Sequence, residues 1–495
     1  MGTASQTALQ SIYLPRTRAF GDDLAPPRQE YITFIPALLA FTGVMSWVMA
    51  DELGMVMASA VATAVAFYDI WGWLIRRGPT RFSSLMALAF LFGYGTGVLN
   101  TWITLPRGGL NLADVVGMDQ GVLARGLGAV LVSSALLYFL GEIFEKPIFG
   151  RDFRFTIDQR TRTLIYAGTF AILVGYATHS LNLEGASAGE GHVSIPGVFL
   201  FWLYVPLTAI AVSAFFTARR RGDQILTGVA SLLLLMVFSV MGRRIIFYTS
   251  LEILLVLGLT GYRWRERMVR NIILGLTLLA IMVAGALTFM LLRIAQGTTT
   301  RKTTISKRFE ITGKLVREGG AISLASSATQ NNFQKRTFVL GFLANILDAS
   351  SRQTPALGQD AFSFLETDIP SVIYPDKDRY FSEEALVDQQ FGFSYGDEAN
   401  SVLTAGATDF GLLGMILYPL IMVAIARTIF EFIALGLKEL PLMLVALSFI
   451  YTMLQTENNL SGYFEVFRDT LLFGIVLAIF LALPRISLRD RVRYD

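Results

Sequence analysis

The sequence predicts an all-α polytopic membrane protein with about twelve transmembrane helices. Of its 495 residues, 53% are apolar and only 16% are charged, whereas a soluble domain carries about a quarter charged residues. The mean hydropathy is +0.54. Apolar runs of the length that crosses about 30 Å of hydrocarbon recur along the chain.

Twelve apolar segments are long enough, or nearly so, to cross a bilayer, and turn or breaker residues separate most of them. The seventh and eighth are short and meet at Arg243 and Arg244. A single helix through both would be about twice as long as the bilayer is thick, so we expect a sharp turn at the arginines. The segments are 31–50, 53–75, 83–105, 121–144, 163–183, 195–217, 225–242, 245–262, 272–296, 402–430, 440–455 and 470–483.

The distribution of Lys and Arg predicts the topology through the positive-inside rule. Basic loops, such as the one with Arg76, Arg77 and Arg81, alternate with loops of the other set, four of which carry one base or none. Both termini are therefore expected in the cytoplasm, and the long loop between spans nine and ten is expected outside. The predicted divisions are a cytoplasmic tail (1–30), helices one to nine (31–296), a large outer loop (297–401), helices ten to twelve (402–484) and a basic cytoplasmic tail (485–495).

The large loop carries its charge unevenly. Up to Arg352 it has nine Lys or Arg and three acids, and the remainder has two bases and ten acids. Residues 336–348 place apolar side chains at helical spacing, which predicts an amphipathic helix lying on the bilayer surface or on the bundle. A folded lid that grips an anion on one side would explain this asymmetry.

A basic pair, Arg243 and Arg244, stands at the predicted outer surface, where topology signals disfavour bases. Such a pair is either a snorkelling anchor or an anion ligand. Arg125 and Arg293 lie near the same level, and they either join the pair or snorkel to the interface. Glu252 lies about 10 Å deep in the eighth span. It is either a structural residue, neutral or paired with a nearby arginine, or part of a proton relay.

Two residue types limit the chemistry. The sequence has no cysteine and only two histidines, His179 and His192. This excludes a disulfide framework, thiolate chemistry and a His-rich metal site. We expect neither a metal nor a cofactor.

The architecture and three short motifs resemble a known family. Residues 239–244 (Ser-Val-Met-Gly-Arg-Arg) open the eighth span, and the loop runs from Arg336 through Asp-Ile-Pro at 368–370 and Lys377 to 397–401 and Asp-Phe-Gly at 409–411. These patterns are similar to those of the O-antigen ligase and Wzy-type polysaccharide polymerase family of bacterial envelope glycosyltransferases. This loop lacks the histidine that the ligases carry near its end, which argues against a close lipid A–core ligase and leaves the general base unassigned.

The resemblance implies a GT-C-like fold and a metal-independent glycosyltransferase at the outer face of the bacterial inner membrane. Such enzymes polymerise undecaprenyl-pyrophosphate-linked repeat units into an exopolysaccharide or O-antigen-like glycan. The implied partners are the lipid-linked donor and acceptor, membrane lipids, a flippase and chain-length or export proteins, with no nucleic acid. The candidate catalytic residues are Arg243, Arg244, Arg336, Asp397 and Glu398, and the candidate substrate-binding residues are Lys335, Lys377, Arg125, Arg293 and Tyr374.

Two other functions stay open at this point. One is a ligase-type transfer of glycan to another acceptor, and the other is a flippase or transporter of lipid-linked saccharide. A carrier is expected to place polar residues at the midplane and broken helices in corresponding halves. The unusual charge here lies at the outer surface and in one loop, which favours the enzyme.

Overall fold

The protein is an all-α membrane protein, and the described part of the computed structural model contains helices and no strand. It describes residues 34–76, 80–104, 112–149, 153–178, 180–181, 195–241, 243–262, 339–369, 383–393, 400–437 and 439–491, with short stretches between 268 and 317. The helices are α1 Phe34–Met49, α2 Glu52–Arg76, α3 Phe82–Phe90, a π-helical stretch Leu91–Thr96, α4 Gly97–Thr104, α5 Leu112–Val116, α6 Gln120–Phe144, α7 Gln159–Ala177, α8 Ile195–Thr217, α9 Arg221–Met241, α10 Arg243–Leu259, α11 Val339–Arg352, α12 Gln359–Asp368, α13 Glu383–Phe391, α14 Val402–Ala434, α15 Glu439–Met453 and α16 Leu460–Arg491.

Five of the described helical stretches are long and apolar enough to cross a membrane, and α1, the last turns of α10, and α15 are shorter apolar helices. Most of the predicted segments coincide with a described helix because each apolar run satisfies its own backbone hydrogen bonds as a helix. The ninth segment lies mainly outside the described residues. The five stretches are Glu52–Gly72, Phe82–Ile103, Gln120–Phe144, Phe199–Thr217 and Val402–Ala434.

Contacts at one end of the helix bundle join the predicted basic loops to each other. Arg81, before α3, donates to the carbonyl of Glu145 just after α6. Other contacts tie the start of α7 to the end of α10 and to the start of α9. Several separate elements therefore begin or end on this face. The further pairs are Phe155 N to Leu259 O, Arg162 to Asp223, and Arg427 to Lys146 O.

Helix α11 packs on the bundle near the start of α6, at the end opposite the basic loops. Nearly all its apolar side chains are buried, including Leu340, Phe342 and Leu343, and it contacts α6 and α14. A Cβ placed on Gly126 of α6 would lie 2.8 Å from the Cβ of Ala344, so the glycine permits a close approach of the two helices. The predicted amphipathic helix is confirmed, and of the two placements proposed for it the structure shows the one on the bundle.

The tenth predicted span is not one continuous helix. The backbone leaves helical geometry at Phe410 and at Gly411, whose φ of 59° is left-handed, a conformation that glycine adopts without steric cost. The two parts fold back so sharply that the backbones of Gly406 and Gly414 touch, with no room for a Cβ on either. A short arm, 402–409, therefore precedes the long arm, 412–434.

The seventh and eighth segments form two helices, as the sequence predicts. Helix α9 ends at Met241 and α10 begins at Arg243. Arg243 and Arg244 thus form the first residues of α10 rather than the turn itself. The carbonyl of Leu259, the last residue of α10, accepts from Phe155 N at the end with the basic loops, so the two arginines start α10 at the other end.

Candidate functional site

The structure describes three of the ten predicted site residues. Arg243 and Arg244 are placed by the backbone of α10, and Arg125 lies six residues into α6, on the same end of the bundle. The remaining seven predicted residues lie outside the described residues: Arg336, Asp397, Glu398, Lys335, Lys377, Arg293 and Tyr374.

Arg125 contacts the large loop. Its guanidinium lies 3.9 Å from a carboxylate oxygen of Asp348 in α11, and that carboxylate also pairs with Arg352 at 2.7 Å. The Arg125 side chain is 41% exposed, so the pair contributes at most about 1 kcal/mol. Arg125 therefore joins α6 to the loop helix, and any anionic ligand would have to compete with Asp348 for it.

Three tyrosines meet below the start of α10. Tyr248 lies about 6 Å along the helix from Arg244. Its ring packs edge-on against Tyr451 of α15, with centroids 6.0 Å apart. Tyr463 of α16 is fully buried and lies close to Tyr248 and Asn458. The first turns of α10 therefore stand over the place where α15 ends and α16 begins.

A polar turn, residues 455–459 (Gln455, Thr456, Glu457, Asn458 and Asn459), connects α15 to α16. The Thr456 hydroxyl donates to the carbonyl of Ala89 at 2.6 Å. Ala89 lies roughly 10 Å along the third span from Phe82 and roughly 22 Å from Thr104. The polar turn therefore lies well inside the bundle, because the third span continues far beyond it on the side away from the basic loops.

Glycine on the third span permits this contact. A Cβ on Gly93 would overlap the side chain of Thr456, and Gly93 belongs to the π-helical stretch Leu91–Thr96. Single π-helical turns inside α-helices occur frequently at functional sites. The unusual winding is therefore found at the level of the polar turn.

The short arm of α14 begins on the same stretch of the third span. The Tyr94 hydroxyl and the Ser401 hydroxyl are hydrogen-bonded at 2.6 Å, and both residues are fully buried. Ser401 also caps the arm in a capping box with Thr404. The end of the large loop thus enters the bundle beside the polar turn before the chain turns back at Gly411.

Asp409, at the end of the short arm, holds α12 of the loop. Its carboxylate accepts from the backbone N–H groups of Asp360 and Ala361, both at 3.0 Å, and from the Tyr418 hydroxyl at 2.6 Å. These N–H groups belong to the first turn of α12, where no helical partner exists for them. We refer to this arrangement as the Asp409 cap.

Backbone N–H groups of the loop also donate hydrogen bonds to the short arm. The N–H groups of Ala356 and Leu357 donate to the carbonyls of Thr408 and Asp409 at 2.9 and 3.0 Å. These carbonyls are the last of the short arm, so the end of the short arm and the start of α12 satisfy each other's unpaired backbone groups. The loop helices α11 and α12 are therefore bound to α14 by backbone bonds as well as by apolar packing.

Glu252 is fully buried in α10, one turn below Tyr248. Neither carboxylate oxygen has a hydrogen-bond partner among the described residues. No arginine whose side chain the structure describes pairs with it, and the side chains of Arg243 and Arg244 lie outside that set. Among the described residues no group of three or more His, Asp or Glu could hold a metal ion.

Sequence reasoning missed the polar turn and the tyrosines, and it used Asp409 only as part of the Asp-Phe-Gly motif at 409–411. One signal was present: five consecutive polar residues, 455–459, end an apolar segment of only sixteen residues. A span that short ends inside the bilayer unless it lies deep in a bundle. The pairing of Tyr94 with Ser401 joins residues 307 positions apart, and no local pattern signals it.

Comparison with protein-family models, with characterised proteins and with solved structures finds no match to this chain. The class of protein is therefore given by the helices alone, and it is an all-α membrane protein.

Proposed function

We propose that this protein is a membrane glycosyltransferase that polymerises undecaprenyl-pyrophosphate-linked repeat units into an exopolysaccharide or O-antigen-like glycan. One observation carries the proposal. Arg243 and Arg244 start a helix whose Tyr248 packs on Tyr451, shortly before the recessed polar turn, at the end of the bundle where the large loop is docked. This end lies opposite the basic loops, which corresponds to the outer face if those loops are cytoplasmic.

The arginine pair suits the leaving group of this reaction. An acceptor hydroxyl attacks the anomeric carbon of the donor with inversion, the bond from that carbon to the pyrophosphate oxygen breaks, and negative charge develops on the pyrophosphate. Fixed positive charge stabilises that state. Arginine is the suitable side chain because its fork binds two phosphate oxygens and stays charged. Arg243 and Arg244 are assigned this role, with Arg336 as the next candidate.

The loop residues complete the proposal. The basic part of the large loop, with Lys335 and Arg336, would help to hold the pyrophosphate. Asp397 or Glu398 would position the acceptor hydroxyl and take its proton. Lys377, Tyr374, Arg293 and Arg125 are assigned to substrate binding. Arg125 would act in this way only after its interaction with Asp348 is exchanged for one with the substrate.

The proposed location is the bacterial inner membrane with both termini in the cytoplasm. The lipid-linked donor and acceptor would reach the site from the outer leaflet. The proposal accordingly includes a flippase that supplies the repeat unit, together with chain-length or export proteins that receive the polymer.

Polymerisation by the purified protein tests the proposal. The protein in detergent is mixed with lipid-linked repeat units extracted from cells that lack it, and the glycan length is read on a gel. The wild type is expected to produce long glycan, and Arg244→Ala is expected to leave single units. Arg220→Ala, an exposed arginine at the opposite end, serves as the matched control and should polymerise normally. Unchanged chain length in Arg244→Ala would remove Arg244 from the site.

A carrier of lipid-linked saccharide is the second candidate, and buried Glu252 favours it because unpaired intramembrane carboxylates often serve proton relays. The same assay separates the two, since polymerisation in detergent needs no transport. If no polymer forms but Glu252→Gln abolishes movement of lipid-linked units across reconstituted vesicles, the carrier replaces the enzyme. A ligase would transfer glycan only when a different acceptor is added.

A further inference from the structure

We infer that the polar turn, with Tyr248 and Tyr451 beside it, is the subsite that binds a sugar residue of the lipid-linked substrate. The inference rests on the proposed function and adds the position at which the carbohydrate, as opposed to the pyrophosphate, is recognised.

The depth of the polar turn is the first argument. Thr456 contacts Ala89 and Gly93 in the middle part of the third span, so five polar residues lie within the bundle. Non-helical backbone at such a depth is tolerated only where it is buried in protein or lines a water-filled cavity. Four of the five residues, all except Thr456, are only partly buried, so the turn faces accessible space.

Unused hydrogen-bonding groups are the second argument. The side-chain nitrogen of Asn458 is buried and makes no well-formed hydrogen bond among the described residues, although the Tyr463 hydroxyl lies beside it. No hydrogen bond joins the partly exposed side chain of Gln455 to another described residue. Buried polar groups are normally satisfied, so an amide left open in this position indicates a polar occupant.

The chemistry of the turn selects a neutral, hydroxyl-rich ligand. The amides of Gln455 and Asn458 each donate and accept, as sugar hydroxyls do. Tyr248 is partly exposed, and its ring supplies an aromatic face of the kind that lines ligand pockets. The carboxylate of Glu457 would repel a phosphate. The anionic part of the substrate is therefore directed to Arg243 and Arg244, and the neutral part to the polar turn.

The turn is also held in a fixed shape, which lowers the entropy cost of binding. Thr456 is bonded to the third span, and the Asn459 side chain accepts from Gly462 N at 2.9 Å to cap α16. Asn458 lies between these two fixed points, and Gln455 directly precedes the first of them. A change at Gln455 consequently removes a binding group without removing an anchor.

Two binding probes test the inference with the purified full-length protein. One is the oligosaccharide repeat unit released from its lipid by mild acid, and the other is undecaprenyl pyrophosphate without sugar. Gln455→Leu is expected to weaken binding of the oligosaccharide about tenfold or more and to change binding of undecaprenyl pyrophosphate less than about twofold. Arg244→Ala is expected to show the opposite pattern. Gln224→Leu, a half-buried glutamine in α9 at the other end, is the control.

The outcomes separate this inference from the proposed function. If the wild type polymerises and Gln455→Leu binds the oligosaccharide like the wild type, the subsite is wrong and the function stands. If Gln455→Leu weakens both probes equally, the subsite is also wrong. If the wild type makes no polymer and binds neither probe, both proposals fail. Gln455→Glu keeps the side-chain length and loses the amide donors, so it should reproduce the loss of oligosaccharide binding in a folded protein.

Discussion

The Asp409 cap gives a prediction whose size follows from its hydrogen bonds. Asp409→Ala removes the acceptor for the N–H groups of Asp360 and Ala361 and for the Tyr418 hydroxyl. Asp360 and Asp409 are 1% and 0% exposed, so water does not replace the lost acceptor while the structure is closed. The first turn of α12 then has two unsatisfied donors next to the short arm of α14.

Each buried donor left without a partner costs about 1–3 kcal/mol. Partial relaxation of the structure recovers some of this cost. We therefore expect the two unsatisfied donors together to lower the free energy of local opening of the α12 region by about 3 kcal/mol. That decrease corresponds to roughly 100-fold faster amide exchange in residues 353–369. Tyr418→Phe removes only one of the three bonds and leaves the carboxylate in place, so it should cost about 1 kcal/mol, or roughly a fivefold faster exchange.

Hydrogen–deuterium exchange with mass spectrometry on the detergent-solubilised protein measures both variants. Peptides from α1 and α2 supply the internal control, because α12 packs mainly on α14 and α16. If peptides covering residues 353–369 exchange at the wild-type rate in folded Asp409→Ala, the cap does not hold the loop and the reasoning is refuted. Equal effects of Asp409→Ala and Tyr418→Phe would show instead that the tyrosine bond is the important one.

Three further predictions concern other contacts. Gly93→Ala forces a Cβ into Thr456 and should destabilise the protein by about 1–3 kcal/mol; adding Thr456→Ala should restore part of the lost unfolding temperature, and no restoration would contradict the contact. Gly126→Leu should block the docking of α11, so exchange in residues 339–352 should rise while α8 peptides stay unchanged. Asp158→Ala should cost about 1 kcal/mol near neutral pH because Asp158 caps α7. The hydrogen bond from the backbone N–H of Thr161 lowers the pKa of Asp158. The stability that the ionised cap contributes is present above the unfolded pKa and is lost as pH falls through the lowered folded pKa. The unfolding temperatures of wild type and variant should therefore converge in acid.

The helices themselves could be predicted because an apolar run has few other ways to satisfy its backbone in lipid. The division near Arg243 was predictable because one continuous helix would have been much longer than the bilayer is thick. Helix α11 could be found from its apolar spacing. Its buried position on α6 could not, because the close contact depends on Gly126, a residue more than two hundred positions earlier in the sequence.

The break at Gly411 shows why the rest could not be predicted. The stretch from Val402 to Ala434 is long and apolar enough to cross a membrane, so hydropathy alone gives one helix. The chain turns back at Phe410 because α12 and Tyr418 hold Asp409 and because Gly406 and Gly414 allow two backbones to touch. Each of these causes lies in packing between distant or folded-back segments. The candidate site depends on the same kind of contact, since Tyr248 and Tyr451 meet only in the folded bundle.

The mutual bonds between α12 and the short arm of α14 also set an order of assembly. A chain inserted from its N-terminus delivers α6 first, so α11 can rest on Gly126 as soon as it leaves the translocation machinery. Asp409 follows about fifty residues after α12 begins, and until then the amides of Asp360 and Ala361 have no acceptor. Helices α11 and α12 are therefore expected to remain half-docked during biogenesis and to lock only when the short arm of α14 arrives, which makes truncation before residue 409 a way to trap that intermediate.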